Sequence, residues 1–221
     1  MTFTYAYLDL PQLPDSVVAA TWAALEANQG NHTVKVNNWL DLPGYAEYEY
    51  RDFTLRDGAQ VKTIKSHRYD IGPEFDAWVN QHVDPDPGAA GATLTLRHGV
   101  ALYDDHSAFF APHVDISRDY AMMYILDTGG DNVETSWYKQ HGYPLVRPDL
   151  KSVFDLDRVT KNFDTLEEVD RVCLPVGKWV CINSAIIHAV ENVESTRVAI
   201  QISRNTPPQV RFTYVSQHKD L

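Results

Sequence analysis

Apolar residues recur along this chain at two spacings, and each spacing predicts a different kind of element. Within residues 15–28, Val18, Trp22 and Leu25 recur at helical spacing between a capping residue and a following glycine. Residues 73–82 start with proline and predict a second, shorter helix. We expect the apolar side of the first helix to cover a sheet.

From residue 92 onward, short apolar and polar runs alternate with turn residues, as in strands. The predicted strands are residues 93–103, 120–126, 133–138, 169–174, 179–183 and 197–203. Strands at this spacing predict a sandwich or jelly roll. We expect one domain over residues 1–221, with a support region (1–91), a β core (92–204) and a C-terminal tail (205–221).

Charge and hydropathy narrow the range of partners. The chain holds 30 acidic and 19 basic residues, a formal charge of −11, and its basic residues are scattered. Nucleic-acid binding depends on clustered Lys and Arg, so we expect no nucleic-acid partner. No secretory signal and no run of about 20 apolar residues is visible, so we expect a cytoplasmic protein without a membrane partner. The two cysteines, Cys173 and Cys181, are expected to be reduced core thiols.

One His-x-Asp pair stands out by its context. The chain has three such pairs, beginning at His82, His113 and His218, but only His113-Val-Asp115 lies among predicted strands. Residues i and i+2 of a strand point to the same face. His113 and Asp115 can therefore present two ligands to one metal ion.

A second motif supplies a further histidine and an arginine. His188 follows an apolar strand, and Arg197 follows it by nine residues at the start of another strand. If these strands form a hairpin with a loop over 192–195, His188 faces Ala199 and Arg197 is its diagonal neighbour at roughly 7–8 Å. Two His and one carboxylate suit a non-haem Fe(II) with open positions, and arginine can hold a carboxylate through two bonds. The alternative role for Arg197 is a surface ion pair with Glu191 or Glu194.

Together these residues resemble the Fe(II)- and 2-oxoglutarate-dependent oxygenase superfamily, especially prolyl and aspartyl/asparaginyl hydroxylases. The resemblance covers residues 92–204 and implies a mainly β fold: a double-stranded β-helix (jelly roll, cupin-like) with N-terminal helices packed on one sheet. It implies that O2 and 2-oxoglutarate are consumed and that succinate and CO2 are released. The implied iron ligands are His113, Asp115 and His188; the implied co-substrate residues are Arg197, Tyr103 and Tyr124.

The sequence departs from the family at two places and leaves other functions open. Asn132 stands where prolyl hydroxylases often have Leu after a Gly-Gly pair, and Ala199 stands where some families have Ser.

Two other functions remain open. A cupin-like metal enzyme that does not use 2-oxoglutarate would not need Arg197. A non-catalytic jelly-roll binding protein is the third alternative. Trp137 and Tyr138 are candidates for lining a substrate pocket, and the alternative for each is an ordinary surface position. For Tyr103 and Tyr124 the alternative to co-substrate contact is core packing. The expected substrate is a peptide, an amino acid or a small metabolite.

Overall fold

The structure is a computed structural model that describes residues 3–27, 52–54, 60–62, 65–69, 71–83, 91–98, 108–115, 118–140, 166–195 and 197–217. Two helices and thirteen strands lie in these ranges. In chain order they are β1 (Tyr5–Leu8), α1 (Asp15–Ala27), β2 (Asp52–Thr54), β3 (Gln60–Lys62), β4 (Lys65–Tyr69), α2 (Pro73–His82), β5 (Gly91–His98), β6 (Ala108–His113), β7 (Tyr120–Asp127), β8 (Glu134–Gln140), β9 (Leu166–Val172), β10 (Trp179–Asn183), β11 (Ile187–Val193), β12 (Arg197–Arg204) and β13 (Phe212–Val215).

The strands form two main antiparallel sheets. The major sheet has the order β13-β1-β10-β7-β12-β5-β4, and the minor sheet has the order β6-β11-β8-β9. Strands β2 and β3 form a separate pair. From β5 to β12 the chain passes repeatedly between the two main sheets. The prediction of a mainly β protein is therefore confirmed.

An inner core fills the space between the sheets. Trp137 and Ile186 of the minor-sheet side pack there against residues of the major sheet, among them Ala121, Met123 and Ala199. We call the sheet surfaces that meet in this core the inner faces. Because directly paired antiparallel residues point to the same side, the register assigns further residues to these faces.

A second core lies on the outer face of the major sheet. Val198, Ile200 and Ile202 of β12 point into it, because residues one position away from Ala199 on the strand point to the opposite face. Val17 of α1 and Trp78 of α2 cover this face. The prediction that N-terminal helices pack on one sheet is therefore confirmed.

Three local predictions are wrong. Trp22 is 39% exposed, whereas Val17 and Thr21 form the buried side of α1. Cys173 is an exposed free thiol, and only Cys181 is buried. Residues 212–215, predicted as part of a tail, form β13 at the edge of the major sheet.

In the described part of the chain, no helix combines the length and hydropathy that a membrane crossing requires.

Candidate metal and co-substrate site

The two histidine positions of the predicted site are direct neighbours in the minor sheet. His188 of β11 pairs with His113 at the end of β6. On its other side, His188 pairs with Trp137 of β8. Trp137 is fully buried in the inner core, so this row of three positions lies on the inner face. For His113 the structure describes the backbone position only.

His188 is held in the tautomer that a metal ligand needs. Its side chain is buried, with 2% exposure, and Nδ1 lies 2.9 Å from the carbonyl oxygen of Ile186. A carbonyl oxygen only accepts, so Nδ1 donates and carries the proton of the neutral ring. Nε2 then holds the lone pair. Metal-bound histidines commonly use their second nitrogen in this way.

Asp115 is tied to both sheets. Its backbone N–H donates to the carbonyl of Ser184 at 3.0 Å, just before β11. Its Oδ2 accepts a hydrogen bond from Arg118 Nε at 2.6 Å. Arg118 Nη1 also donates to Ser203 Oγ at 3.1 Å, and Ser203 lies on the inner face of β12 because it pairs with Ala121. The Asp115 carboxylate is therefore linked to the space between the sheets.

Sequence reasoning missed Arg118. It follows the carboxylate by three residues in a connection between strands, which gives no signal of burial. The structure shows 5% exposure for this residue. Only long-range contacts with β12 and with the chain before β11 place it in the site.

The predicted hairpin between His188 and Arg197 is wrong. Strand β11 belongs to the minor sheet and β12 to the major sheet. The connection turns at Asn192, which has φ 60°, and crosses from one sheet to the other. His188 and Arg197 are therefore placed on opposing sheets instead of side by side. The physical reason is that strand partners depend on contacts distant in sequence, which the local pattern does not encode.

Arg197 is nevertheless directed to the inner face. Strand β12 pairs with β5 without a register shift, so Arg197 and Ala199 share a face. The Arg197 side chain has 2% exposure, which rules out the surface ion pair. Its Nε has no hydrogen-bond partner among the described residues. Burial lowers the pKa of Arg197 to about 10, so the guanidinium remains charged at neutral pH.

The two predicted tyrosine contacts have different outcomes. Tyr124 lies on the outer face of the major sheet, with its ring 5.2 Å from that of Trp179, and its hydroxyl donates to Gln12. It therefore faces away from Arg197, and the structure contradicts the prediction of a co-substrate contact. The reason is strand alternation, since Met123 and Ile125 occupy the inner positions. Tyr103 lies outside the described residues.

The two pocket candidates on β8 also point in opposite directions. Trp137 lies on the inner face beside His188. Tyr138 points to the other face, where its hydroxyl donates to Glu191. Burial and the nearby Glu191 carboxylate raise the pKa of Tyr138. Only Trp137 is therefore placed to line a site between the sheets.

The residues present fit a non-haem iron and a dicarboxylate. Two imidazoles and a carboxylate suit Fe(II) chemically, and the buried, unpaired Nε of Arg197 suits an anionic group. Among the side chains that the structure describes, no three His, Cys, Asp or Glu residues form a group able to hold a metal. The side chain of His113 is not among them.

Comparisons with known proteins identify the fold. No protein-family model matches the sequence, and no curated protein sequence matches it. The epimerase SnoN, in complex with Fe3+, alpha ketoglutarate and nogalamycin RO, has a TM-score of 0.48 at 12% identity over 95% of this chain and 82% of its own. A Pseudomonas putida prolyl-4-hydroxylase has a TM-score of 0.38 at 15% identity over 93% of this chain and 95% of its own.

A further solved structure is similar enough to assign the fold. It is the non-haem alpha ketoglutarate dependent carbocyclase SnoK from nogalamycin biosynthesis, with a TM-score of 0.50. The alignment covers 99% of this chain and 84% of that chain at 12% sequence identity. The protein therefore has the same fold as this carbocyclase.

Proposed function

We propose that the protein is an Fe(II)- and 2-oxoglutarate-dependent dioxygenase. The observation that carries the proposal is the pairing of His113 with His188 on an inner face, with a buried Arg197 on the inner face of the opposing sheet. A metal held at the histidines would lie between the sheets, within the same enclosed space as the guanidinium. A cupin-like enzyme without 2-oxoglutarate has no need of such an arginine.

In this proposal His113, Asp115 and His188 hold the iron. The hydrogen bond from His188 Nδ1 to Ile186 fixes the ring and its tautomer. Arg118 fixes the Asp115 carboxylate by an ion pair with its Oδ2. A bound Fe(II) would supply the activation of O2, and the protein supplies orientation and exclusion of water.

Arg197 binds the distal carboxylate of 2-oxoglutarate. The buried Nε of Arg197 has no hydrogen-bond partner among the described residues, which is costly, and a carboxylate partner relieves that cost. The cation persists well above neutral pH because its pKa is about 10. Arg197 therefore provides a permanent anion site at the end of β12 where the chain enters the major sheet.

The passage of the chain between the two sheets from β5 to β12 supports a double-stranded β-helix. This is the fold that the family resemblance implies. In such an arrangement neighbouring chain segments deliver ligands from opposing sheets to one cavity. We propose hydroxylation of a peptide, an amino acid or a small metabolite, with release of succinate and CO2.

The proposal is tested by anaerobic titration with Fe(II), followed by 2-oxoglutarate. We expect a weak visible charge-transfer band when the keto acid chelates the iron. His188→Ala should abolish the band because an iron ligand is lost. Arg197→Ala should weaken it by raising the 2-oxoglutarate concentration needed. The control is His82→Ala, which removes a half-buried histidine of α2 whose ring lies 5.1 Å from that of Trp78, tilted by 48°.

Each outcome has a distinct meaning. A band in the wild type and in His82→Ala, with the losses described, supports the proposal and justifies a screen of substrates by succinate release. Iron binding without a band favours the cupin-like alternative. Failure of the wild type to bind iron would contradict the proposal altogether.

A further inference from the structure

Arg118 bridges the candidate metal ligand Asp115 and the opposing sheet. Its Nε donates to Asp115 Oδ2 at 2.6 Å, and its Nη1 donates to Ser203 Oγ at 3.1 Å. The Arg118 and Asp115 side chains are only 6% and 13% exposed. Solvent screens an ion pair little at this depth, and an arginine–carboxylate hydrogen bond of this length is strong.

The backbone around Arg118 is held as firmly as its side chain. Its carbonyl accepts a hydrogen bond from Ser184 Oγ at 3.3 Å. The next carbonyl, of Asp119, accepts from the N–H groups of Ser184 and Ala185 at 2.8 and 3.2 Å. Ser184 also accepts from the Asp115 N–H. The segment that carries Asp115 is thus fastened to the turn that leads into β11 and His188.

This arrangement limits how Asp115 can bind a metal. A carboxylate can give a metal one oxygen or both, and the second mode takes an additional coordination position. Arg118 engages Oδ2 by a short charge-assisted bond, which favours metal binding through the other oxygen. A site made of two histidines and one carboxylate needs its remaining positions open for other ligands.

We propose that Arg118 is a positioning residue that holds Asp115 as a one-oxygen metal ligand. The inference rests on the proposed function, because it assumes that Asp115 binds the metal. The competing interpretation is a purely structural ion pair. A structural pair would affect unfolding but would leave the metal's coordination unchanged.

Anaerobic titration of the full chain with Co(II), a spectroscopic substitute for Fe(II), separates these interpretations. Arg118→Met should weaken Co(II) binding by about 10- to 100-fold, as loss of a partner of a metal ligand typically does. At saturating Co(II), its visible ligand-field bands should differ from those of the wild type in position or intensity. Such a change reports altered coordination, which a structural role would not produce.

Two milder variants keep the test valid if Arg118→Met does not fold. Arg118→Lys keeps the charge but not the planar fork that reaches two partners, so we expect a smaller loss of affinity with the same kind of spectral change. Ser203→Ala removes one anchor of Arg118 and should weaken Co(II) binding a few-fold. The control is Arg211→Met, because Arg211 forms an exposed ion pair with Asp9 at 3.8 Å.

The outcomes distinguish this inference from the proposed function. If the wild type binds no Co(II), both are overturned. If the wild type binds Co(II) and the Arg118 variants show wild-type affinity and spectra, only the role of Arg118 is overturned. Weaker binding with a changed spectrum in the Arg118 variants, and neither effect in Arg211→Met, supports the inference.

Discussion

At the residue scale, Arg171 and Arg197 differ in burial and in the partners of their positive charge. Arg171, which is about one-third exposed, forms ion pairs with Glu134, Glu168 and Glu191 at 2.5, 2.6 and 3.3 Å. Arg197 is almost fully buried, and its Nε has no partner among the described residues. The partial exposure of Arg171 and its three ion pairs are what a residue that serves stability alone would show. Arg197 is placed at a cost, which is typical of a binding residue.

We therefore predict that Arg197→Met stabilises the protein in the absence of ligands. The buried charge is replaced by an apolar chain, and the free energy of unfolding should rise by about 1–3 kcal/mol. The pKa of Arg197 is lower in the folded than in the unfolded protein. Its destabilising effect is thus fully present at neutral pH, and it declines only as the pH rises from about 10 toward the ordinary pKa of arginine. Urea unfolding at pH 7 measures the difference.

The matched control is Arg171→Met, which should lose stability, by up to about 1 kcal/mol, because three carboxylates lose their shared cation. The same Arg197→Met protein should also fail to gain stability from 2-oxoglutarate in the presence of metal. A loss of stability in ligand-free Arg197→Met would show that the guanidinium is satisfied in the folded protein, contrary to the cost inferred for it.

At the scale of elements, the turn between β7 and β8 supports the start of β12. The carbonyl of Gly129 accepts hydrogen bonds from the N–H groups of Glu194 and Ser195, both at 2.8 Å. Gly129 has φ +80°, and a Cβ added there would lie 2.9 Å from the Ser195 carbonyl oxygen and 3.1 Å from Arg197 Cβ. This turn therefore fixes the backbone from which Arg197 extends.

Gly129→Ala should accordingly impair both folding and co-substrate binding. The positive φ and the close contact with backbone should lower the free energy of unfolding by about 1–3 kcal/mol. The displaced Arg197 should weaken 2-oxoglutarate binding to the metal-loaded protein. The control is Gly72→Ala, which has φ +100° but no atom within 4 Å of an added Cβ. If both variants bind 2-oxoglutarate equally well, Gly129 has no role in placing Arg197.

The same elements show what the sequence could predict. Helix α2 and strand β10 have the predicted bounds, because periodicity and flanking turn residues define them locally. Strands β1 and β13 were missed, since both are short and are stabilised by pairing with distant segments. The hairpin between His188 and Arg197 was wrong for a related reason. The pattern shows that a strand has two faces, but it does not show which strand lies beside it.

In the candidate site too, some residues could be predicted from the local sequence, and others depend on contacts distant in sequence. His188 and Arg197 could be chosen from motif spacing, and both prove to be buried. The outward position of Tyr124 could not be foreseen, because its face depends on where the alternation of β7 begins relative to the core. Arg118 could not be found at all, because its partner Ser203 is 85 residues away in the chain.

At the scale of the whole molecule, the two sheets contribute different parts of the site. The histidines lie in the minor sheet, and Arg197 lies in the major sheet. Asp115 is connected to both sheets. Its backbone N–H donates to Ser184, just before β11 of the minor sheet, and its carboxylate is bound by Arg118, which also donates to Ser203 of the major sheet. In the proposed function, a metal with bound 2-oxoglutarate therefore joins the sheets across the inner core. Ligand binding should then stabilise the folded molecule as a unit.

We predict that Co(II) and 2-oxoglutarate together stabilise the protein more than the sum of their separate effects. In the proposed function, metal alone would contact only the ligands His113, Asp115 and His188, and 2-oxoglutarate alone would contact only Arg197. With both present, the keto acid is held at both ends. A ligand at 100 times its dissociation constant adds about 2.7 kcal/mol to the free energy of unfolding. Thermal unfolding under anaerobic conditions, at fixed protein concentration, measures each contribution.

Two ligand analogues identify which end of the co-substrate matters. 2-Oxobutyrate keeps the keto acid but lacks the distal carboxylate, so with Co(II) it should stabilise Arg197→Met as much as the wild type. Succinate keeps two carboxylates but has no keto group, so Co(II) should increase its stabilising effect only slightly. If 2-oxobutyrate matched 2-oxoglutarate in the wild type, Arg197 would contribute nothing to binding. The buried charge on β12 would then need a different anionic partner, and 2-oxoglutarate would not add to the contacts that already join the sheets through the inner core and through Arg118.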